Sequence, residues 1–374
     1  MRVTLVRSRT IDEAVYKVAR TLAEDGHEVK LLVWDRQRDL NINFRDGYQI
    51  IRFTVGAPYD TIWALLYLPL WWAYELYFLL RYRADVIHAC DFDTLPPALV
   101  AKLLKRMKLC YQIYDFYASN LPDGRFGIVR RLIRTLTGSL EKFCIRFAEV
   151  LFLADEGRYE EVKGARISKL VCIYNSPPDF WGKIAQTAPM TTSGLVIFYA
   201  GVLSPPRGLQ YMIQAVEELD DVALFIGGAG PEQATIEKAA GRCSRIKYLG
   251  RLPSYEDIIK RTMAADVLFR FSDPAHHKTK YESPNKLFEA MMCGKPIIVS
   301  EGSLMSKTVE KEHCGLCVPY GDVAALKDAI LTLKNDPDLR RRLGENGRKA
   351  YEERYSWALM QNRLVNTYRE LASI

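Results

Sequence analysis

The sequence predicts an α/β protein built from two doubly wound, mostly parallel sheets in series. Short apolar runs alternate with amphipathic helical runs, which is typical of strand–helix–strand units joined by right-handed crossovers. The alternation stops in a proline-bearing stretch from Asn175 to Thr192 and then starts again. A chain of 374 residues is also long for a single hydrophobic core, so two domains are expected.

Six short apolar runs in the first half predict strands. They are RVTLV (2–6), EVKLLVW (28–34), YQIIRF (48–53), DVIHA (85–89), LCYQIY (109–114) and VLFLA (150–154). Helical patterns lie between most of them. In the first helix, the apolar face is Ile11, Val15, Val18, Ala19 and Leu22, and Gly26 ends the pattern.

Five further runs predict the strands of the second half. They are LVIFYA (195–200), VALFIGG (222–228), IKYLG (246–250), ADVLFRF (265–271) and PIIVS (296–300), and a helix is expected from Trp357 to Leu371. We therefore expect a first domain over 1–180, a linker over 181–193 and a second domain over 194–355. The C-terminal helix, 356–374, is expected to pack back toward the first domain. Two such domains facing each other would form a ligand cleft at the carboxyl ends of their strands.

Composition excludes few classes of protein but favours a globular protein whose cysteines are reduced thiols. Charged residues make up 26% of the chain, and the net charge of +7 is not gathered into one stripe, so we expect no nucleic-acid partner. Most of the eight cysteines lie in apolar segments, which is typical of cytoplasmic thiols. The single CxxC, Cys314 to Cys317, lacks a second pair and does not predict a metal site.

One segment, 61–80, is nearly long enough to span a membrane. It contains Pro69 and Glu75, and its tryptophans and tyrosines suit an interface better than a hydrocarbon centre. Three interpretations remain open: a helix lying on a bilayer, a buried helix of the domain, and a membrane span.

The stretch ESPNKLFEAMMCGKPIIVS (282–300) predicts an anion site at the start of a helix. Ser283 suits the N-cap and Pro284 the first helical position, while Lys286 in the first turn is favourable if an anion binds there. Glu289 shares the face of Lys286 and could accept hydrogen bonds from sugar or ribose hydroxyls. The alternative is a capped surface helix with a Lys–Glu pair.

A second anion site is indicated by YAGVLSPPRGL. A strand runs into a turn at Gly201, and Arg207 and Gly208 precede the next helix, where a guanidinium can hold a diphosphate through two hydrogen bonds. In the first half, His88, Asp91 and Asp93 lie at the carboxyl end of one strand, and Tyr114 and Asp115 follow another. These groups could orient or deprotonate an acceptor hydroxyl. Asp93 could equally be a helix cap, and a metal at the DFD run is not expected.

These motifs together resemble the family-4 retaining glycosyltransferases, which have the two-Rossmann GT-B architecture. The resemblance covers nearly the whole chain. The segments that carry it, in order, are DVIHACDFDTLPPALVAKLL, VCIYNSPPD, YAGVLSPPRGL, GGAGP, YLGRLP, AADVLF, FEAMMCGKPIIVS and GLCVPYGDVAALKDAI. The resemblance implies a sugar transferred from a nucleotide-diphosphate donor with retained configuration, without a metal or other cofactor.

The resemblance carries over to individual residues unevenly. Glu289 matches the second glutamate of the family's pair, whereas the first falls on Tyr281, with Glu282 one place later. Arg207 matches a lysine of the phosphate clamp, and the clamp arginine is replaced by Val202. The implied donor-binding residues are Gly201, Arg207, Gly208, Glu282, Ser283, Pro284, Asn285, Lys286 and Glu289. The implied acceptor-side residues are His88, Asp93, Tyr114 and Asp115, and Asp115 and Glu289 are the expected catalytic residues.

The acceptor is indicated by the aromatic segment 61–83 and two basic clusters in the same domain. The clusters span 102–108 (Lys102, Lys105, Arg106, Lys108) and 125–134 (Arg125, Arg130, Arg131, Arg134). Both suit an anionic membrane surface, so we expect a lipid-linked or polyprenyl-phosphate-type glycan acceptor at the inner face of the membrane. Ordinary solvated helix faces are the alternative. The family's acceptor-side histidine falls on Tyr114. This substitution and those at Val202 and Tyr281 leave open a degenerate scaffold that binds nucleotide weakly or not at all.

Overall fold

The computed structural model describes residues 1–10, 13–38, 40, 42–58, 66–116, 127–184, 190, 194–275, 281 and 285–373, without the side chains of 127–131 and 133. The chain divides into two compact units. The first unit is Met1–Tyr174 together with Met360–Ile374, and the second unit is Asn175–Leu359. Each unit is an α/β structure with its own sheet, which confirms the predicted fold class.

The first unit is built on a sheet that has eight strands in its described part, in the order β3-β4-β2-β1-β5-β6-β7-β8. All neighbouring strands are parallel except β3 and β4. The strands are β1 (Arg2–Arg7), β2 (Glu28–Trp34), β3 (Phe44–Arg45), β4 (Tyr48–Phe53), β5 (Val86–Cys90), β6 (Lys108–Ile113), β7 (Val150–Leu153) and β8 (Leu170–Cys172).

Helices connect these strands in the way the apolar spacing predicts. They are α1 (Glu13–Glu24), α2 (Leu68–Arg81), α3 (Leu95–Lys105), α4 (Gly127–Ile145) and the single turn α5 (Tyr159–Val162). Helices α2 and α3 bury apolar side chains in one core with the sheet, in which Trp71 stacks on Trp34 with ring centroids 5.7 Å apart. This core fixes the strand ends that carry the candidate acceptor residues.

The second unit has a parallel sheet of six strands within the residues described, in the order β11-β10-β9-β12-β13-β14. The strands are β9 (Leu195–Val202), β10 (Val222–Ala229), β11 (Ile246–Tyr248), β12 (Val267–Arg270), β13 (Ile297–Ser300) and β14 (Gly315–Val318). Its helices are α6 (Leu209–Glu217), α7 (Gln233–Arg242), α8 (Tyr255–Ala264), α9 (Asn285–Met292), α10 (Leu304–Glu312), α11 (Val323–Asn335) and α12 (Pro337–Ala350).

The segment Asn175–Ile184 belongs to the second unit. Asp179 accepts hydrogen bonds from both terminal nitrogens of Arg348, at 2.9 and 2.7 Å, and the Tyr351 hydroxyl donates to the Pro177 carbonyl at 2.9 Å. Residues 185–189 and 191–193, which make up much of the expected linker, lie outside the described residues.

The last helix, α13 (Trp357–Ser373), belongs to the first unit from Met360 onward. It is attached there by polar contacts as well as by apolar packing. The Tyr368 hydroxyl lies 2.7 Å from His88 Nδ1 on β5, and Arg369 donates to Asp25 at 2.7 Å. The beginning and the end of the chain therefore build the same unit.

Candidate functional site

The candidate donor site lies at the carboxyl edge of the sheet in the second unit. Chain order reverses between β9 and β12, and doubly wound sheets bind ligands outside the strand ends at such a point. Gly201 is the next-to-last residue of strand β9. The loop that contains Arg207 and Gly208 follows directly. The Asp273 N–H, just beyond β12, donates to the Pro206 carbonyl at 3.1 Å and ties this loop to the neighbouring strand end.

Two glycines give this edge its backbone shape. Gly208 has a φ of +61° and closes the turn Pro205–Arg207 by donating to the Pro205 carbonyl at 3.1 Å. Gly228 has a φ of +132°, and a Cβ added there would overlap the Gly201 carbonyl oxygen. A side chain at Gly228 would push the ends of β9 and β10 apart, and one at Gly208 would crowd the Phe271 and Tyr320 side chains, so both loops depend on glycine.

Glu289 is the centre of a buried polar cluster on α9. Its side chain is 2% exposed, and one carboxylate oxygen accepts a hydrogen bond from Lys286 Nζ at 2.5 Å. The other oxygen accepts from the Tyr255 hydroxyl at 3.1 Å. The Lys286–Glu289 pair predicted from the three-residue spacing is therefore present, but in a buried setting rather than on a solvated face.

Tyr255 is a site residue that the sequence analysis missed. It begins α8, directly after the N-cap Ser254, and is 34 positions away from Glu289 in the sequence. Burial of its hydroxyl and the neighbouring Glu289 carboxylate raise the pKa of Tyr255 well above its ordinary value. The hydroxyl therefore stays protonated and donates to Glu289 at any pH where the protein works.

Part of the predicted helix mouth lies outside the described residues. Glu282, Ser283 and Pro284 are in this group, so the predicted N-cap and the glutamate of the donor sugar have no described position. The helix begins at Asn285 within the described residues, and Asn285 and Lys286 occupy its first turn. Because α9 follows β12, its start lies on the same edge of the sheet as Arg207.

The candidate acceptor site is at the corresponding edge of the first unit. Here the chain order reverses between β1 and β5, and a buried ion pair joins the two strand ends. Arg7, the last residue of β1, pairs with Asp91, the residue after β5. The Arg7 guanidinium also lies over the Tyr114 ring, 5.0 Å from its centroid.

Asp91 holds the loop that carries Tyr114 and Asp115. One of its carboxylate oxygens accepts hydrogen bonds from the backbone N–H groups of Tyr114 at 2.8 Å and Asp115 at 3.1 Å. Its own backbone has a φ of +65°, which is unfavourable for a residue with a side chain. Burial raises the pKa of Asp91 even though the Arg7 guanidinium opposes this. The sequence placed Asp91 at a strand end but did not reveal these contacts.

Asp115 is partly exposed and already has a cationic partner. Its Oδ1 accepts a hydrogen bond from Arg158 Nη2 at 3.2 Å, and the same guanidinium bonds Glu161 at 3.3 Å. Arg158 lies in the short turn Glu156–Arg158, far from Asp115 in sequence. Asp115 is thus held as an oriented hydrogen-bond acceptor at the sheet edge.

Asp93 lies in the 3₁₀ turn Phe92–Thr94 rather than at a helix cap. Its carboxylate accepts a hydrogen bond from the Ser8 hydroxyl, and its carbonyl accepts one from the Trp72 indole at 2.9 Å. These contacts connect the ends of β1 and β5 with α2. The capping alternative considered for Asp93 is therefore wrong.

His88 lies inside the core of the first unit and not at the sheet edge. It is fully buried in β5, its Nδ1 faces the Tyr368 hydroxyl at 2.7 Å and its Nε2 faces Gln112 Oε1 at 2.9 Å. Burial lowers the pKa of His88 to about 4, which keeps the ring neutral. In this structure the imidazole is a core group that a substrate does not reach, which corrects the expectation of an acceptor contact.

Among the described residues, no group of three or more His, Cys, Asp or Glu side chains is arranged to hold a metal ion. The eight cysteines are all free thiols, and six of them are buried. Cys314 and Cys317 accordingly form no metal site with other described residues.

Two family descriptions match consecutive parts of the chain. Residues 10–175 match the glycosyl transferase 4-like domain, and residues 184–350 match the glycosyl transferases group 1. The two matches follow the first and second halves of the fold. The chain belongs to the group 1 glycosyltransferases, the family that its motifs resemble.

Individual relatives are more distant. The GDP-mannose-dependent monoacylated alpha-(1-6)-phosphatidylinositol monomannoside mannosyltransferase of Corynebacterium glutamicum is 32% identical over 44% of this chain and 44% of its own length. The alpha-D-kanosaminyltransferase of Streptomyces kanamyceticus is 27% identical over 74% of this chain and 73% of its own. The chain thus spans less than half the length of the first relative.

The sucrose-phosphate synthase of Thermosynechococcus elongatus superimposes on the whole chain with a TM-score of 0.77 at 17% identity, covering 100% of both chains. At this identity the likeness establishes the fold, and it confirms the GT-B architecture that the sequence predicts.

Proposed function

We propose that the protein is a retaining glycosyltransferase that moves a sugar from a nucleotide-diphosphate donor to a hydroxyl of a lipid-linked glycan acceptor. The observation that carries this proposal is the buried Lys286–Glu289–Tyr255 cluster on α9, a helix that begins at the same sheet edge as the Arg207 loop. Family membership supports the class of reaction. The cluster supplies a cation and an oriented carboxylate at one sheet edge.

In this proposal the diphosphate binds Arg207, Lys286 and the free N–H groups at the start of α9. A lysine ammonium has three donors, and Glu289 accepts only one of them, so two remain for phosphate oxygens. As the glycosidic bond breaks, negative charge grows on the diphosphate, and these fixed positive groups stabilise it. No protein nucleophile is required, and no metal or other cofactor is proposed.

Glu289 is proposed to hold the ribose or the donor sugar. A carboxylate can accept about four hydrogen bonds, and protein groups use two of them here. Two adjacent hydroxyls of a sugar ring can therefore bind without displacing either partner. Asp115, held by Arg158, is proposed to orient the acceptor hydroxyl.

Two observations support the lipid-linked acceptor and a peripheral position at the cytoplasmic face of a membrane. One curated relative bears a name that specifies a phosphatidylinositol mannoside acceptor. The cysteines are unpaired, which suits a reducing compartment. None of the helices in the described residues is long and apolar enough to cross a bilayer.

The first experiment offers the purified protein UDP- and GDP-sugars together with a polyprenyl-phosphate-linked saccharide. We expect release of the nucleotide and a heavier lipid by mass spectrometry. If calorimetry shows nucleotide binding but no donor is turned over, the result would instead support the scaffold alternative. That alternative is suggested by the replacements at Val202 and Tyr281.

Glu289→Gln tests the site. We expect kcat/KM to fall by at least about 30-fold, because a buried charge-assisted hydrogen bond to the substrate is lost. The matched control is Glu256→Gln, which removes an exposed carboxylate one residue from Tyr255 and should keep full activity. Circular dichroism would show that both variants are folded. Full activity of folded Glu289→Gln would refute the site assignment.

A further inference from the structure

The outer surface of two helices in the first unit exposes many large apolar side chains. We call this surface the α3–α4 face. Its members are Val100, Leu103 and Leu104 on α3, Leu132, Leu136, Leu140 and Phe143 on α4, and Phe147 just after α4. Leu103 is 69% exposed and Leu136 is 60% exposed. A soluble surface rarely gathers so much apolar area without a partner.

The spacing on α4 turns these side chains into a continuous line. Leu132, Leu136, Leu140 and Phe143 follow at intervals of four, four and three residues, so they lie on one helix face over about 16 Å. The opposite face is already used, since Cys144 and Ile145 are buried and Glu141 accepts a hydrogen bond from the Tyr111 hydroxyl at 2.7 Å. The exposed line of side chains is therefore a second apolar face of α4, separate from the face that packs into the core of the first unit.

The two helices present one surface rather than two separate ones. Lys102 on α3 donates to the Phe147 carbonyl at 2.6 Å and pairs with Glu149 at 2.5 Å. These bonds hold the segment directly after α4 against the last turn of α3. The apolar side chains of both helices thus form adjoining parts of the same face.

The two helices that carry the face have a net positive charge. By sequence, α3 and α4 together contain six basic residues and one acidic residue, and the acidic one, Glu141, is fully buried. Lys105 and Arg146 are exposed, and the Arg146 guanidinium lies 5.1 Å from the centre of the Phe143 ring. Apolar side chains bordered by cations match the boundary between acyl chains and anionic headgroups.

We propose that the α3–α4 face docks on an anionic lipid bilayer, with the leucines and phenylalanines entering the interface. The proposal rests on the proposed function, since it explains how the first unit would reach a lipid-linked acceptor. A second copy of the chain is a poorer occupant, because a two-fold contact would bring the same cations together.

The α3–α4 face is a different membrane-contacting surface from the segment 61–83, which the sequence favours for that role. Helix α2 turns Trp71, Glu75, Phe78 and Leu79 inward and exposes Leu70 and Tyr77, so it presents fewer large apolar side chains than the α3–α4 face. Residues 59–65 lie outside the described part of the chain. Of the basic clusters, 102–108 adjoins the face, while Arg125 is not described and Lys102 is engaged within the unit.

The test is flotation of the whole protein with vesicles of phosphatidylglycerol and phosphatidylcholine, and with phosphatidylcholine alone. We expect the protein to float with the anionic vesicles. The double variant Leu136→Ser and Leu140→Ser should bind at least about tenfold more weakly, because apolar area no longer leaves water. Leu170→Ser, an exposed leucine on β8 of the same unit, is the matched control and should float like wild type.

Turnover with a short-chain, water-soluble acceptor is measured in parallel. We expect it to be unchanged in the double variant, so loss of vesicle binding can be separated from loss of catalysis. Wild-type protein that turns over but does not float would overturn the docking proposal and leave the proposed function standing. Undiminished floating of the double variant would overturn it too, as would a wild-type dimer that the double substitution converts to monomer.

Discussion

Glu289 is a buried carboxylate whose two oxygens have protein partners before any ligand binds. Lys286 and Tyr255 hold it in one orientation, so its remaining lone pairs point in fixed directions. A group held in this way loses little further freedom when substrate binds. Because Lys286 and Tyr255 fix this orientation, we expect substitutions of these partners, as well as of Glu289, to lower kcat/KM.

Tyr255→Phe tests this expectation. The variant removes the hydroxyl that donates to Glu289, and we expect kcat/KM to fall by about 3- to 10-fold, in line with the loss of one hydrogen bond. In a double-mutant cycle with Glu289→Gln, the two losses should be far from additive, because both act through the same carboxylate. Steady-state kinetics with a nucleotide-sugar donor measures kcat/KM for the single and double variants. Additive losses would show that Tyr255 does not act through Glu289.

For individual residues, the sequence pattern predicts local pairs but not distant ones. The spacing of three on a helix was enough to predict Lys286 beside Glu289. Tyr255 and Arg158 could not be found in this way, because tertiary packing alone brings them to Glu289 and Asp115. The expectation for His88 was wrong for the opposite reason, since a position two residues before the end of β5 does not reveal that both ring nitrogens have partners inside the core.

At the scale of elements, the apolar spacing predicted most strands within one or two residues. The strands that were missed, β3, β8 and β14, are short or lack the apolar run of a central strand. Helix α2 shows a different limit. Its composition is apolar on all sides, so periodicity could not separate the buried side from the exposed one.

Helix α2 also contains an unfavourable buried group. Glu75 is fully buried, and no described residue donates a hydrogen bond to either of its oxygens. Burial, followed by the nearby Asp93 carboxylate, raises the pKa of Glu75 well above the ordinary 4.5. As pH rises above 4.5, the unfolded chain releases this proton before the folded one does, so Glu75 lowers stability increasingly with pH.

Glu75→Leu should therefore stabilise the protein. We expect the free energy of unfolding to rise by about 1–3 kcal/mol at pH 8, and by less at pH 5. Urea unfolding followed by circular dichroism at the two pH values measures the difference. The control Glu24→Leu, at an exposed position on α1, should change stability by less than about 0.5 kcal/mol. An equal gain at both pH values would contradict the raised pKa.

For the molecule as a whole, the division into two wound sheets follows from the sequence pattern. The last helix lies in the first unit from Met360 onward, but the pattern alone does not say where it packs. The attachment of that helix depends on Tyr368 meeting His88 across 280 positions of the chain. Burial raises the pKa of Tyr368 well above its ordinary value, so this hydroxyl remains protonated beside the neutral imidazole.

This attachment should make the molecule sensitive to acid. Between pH 6.5 and about 4, the unfolded chain protonates His88 while the folded chain keeps it neutral, so stability falls as pH falls through this range. In His88→Gln, the decrease in the free energy of unfolding between pH 7 and pH 4.5 should be smaller than in the wild type by about 2–3 kcal/mol. Urea unfolding at several pH values measures the slope, and the exposed His313→Asn should leave it unchanged. An unaltered slope in His88→Gln would show that the ring titrates freely.

The two ends of the chain meet within one unit. The N-terminal amino group lies 3.1 Å from His27 Nδ1, and the His27 ring is 5.7 Å from the Tyr368 ring. The other unit, Asn175–Leu359, is consequently one continuous segment between the two parts of the first unit. Under the proposed function, exchanging this one segment between related proteins requires only two junctions and would combine a different donor site with the same acceptor site.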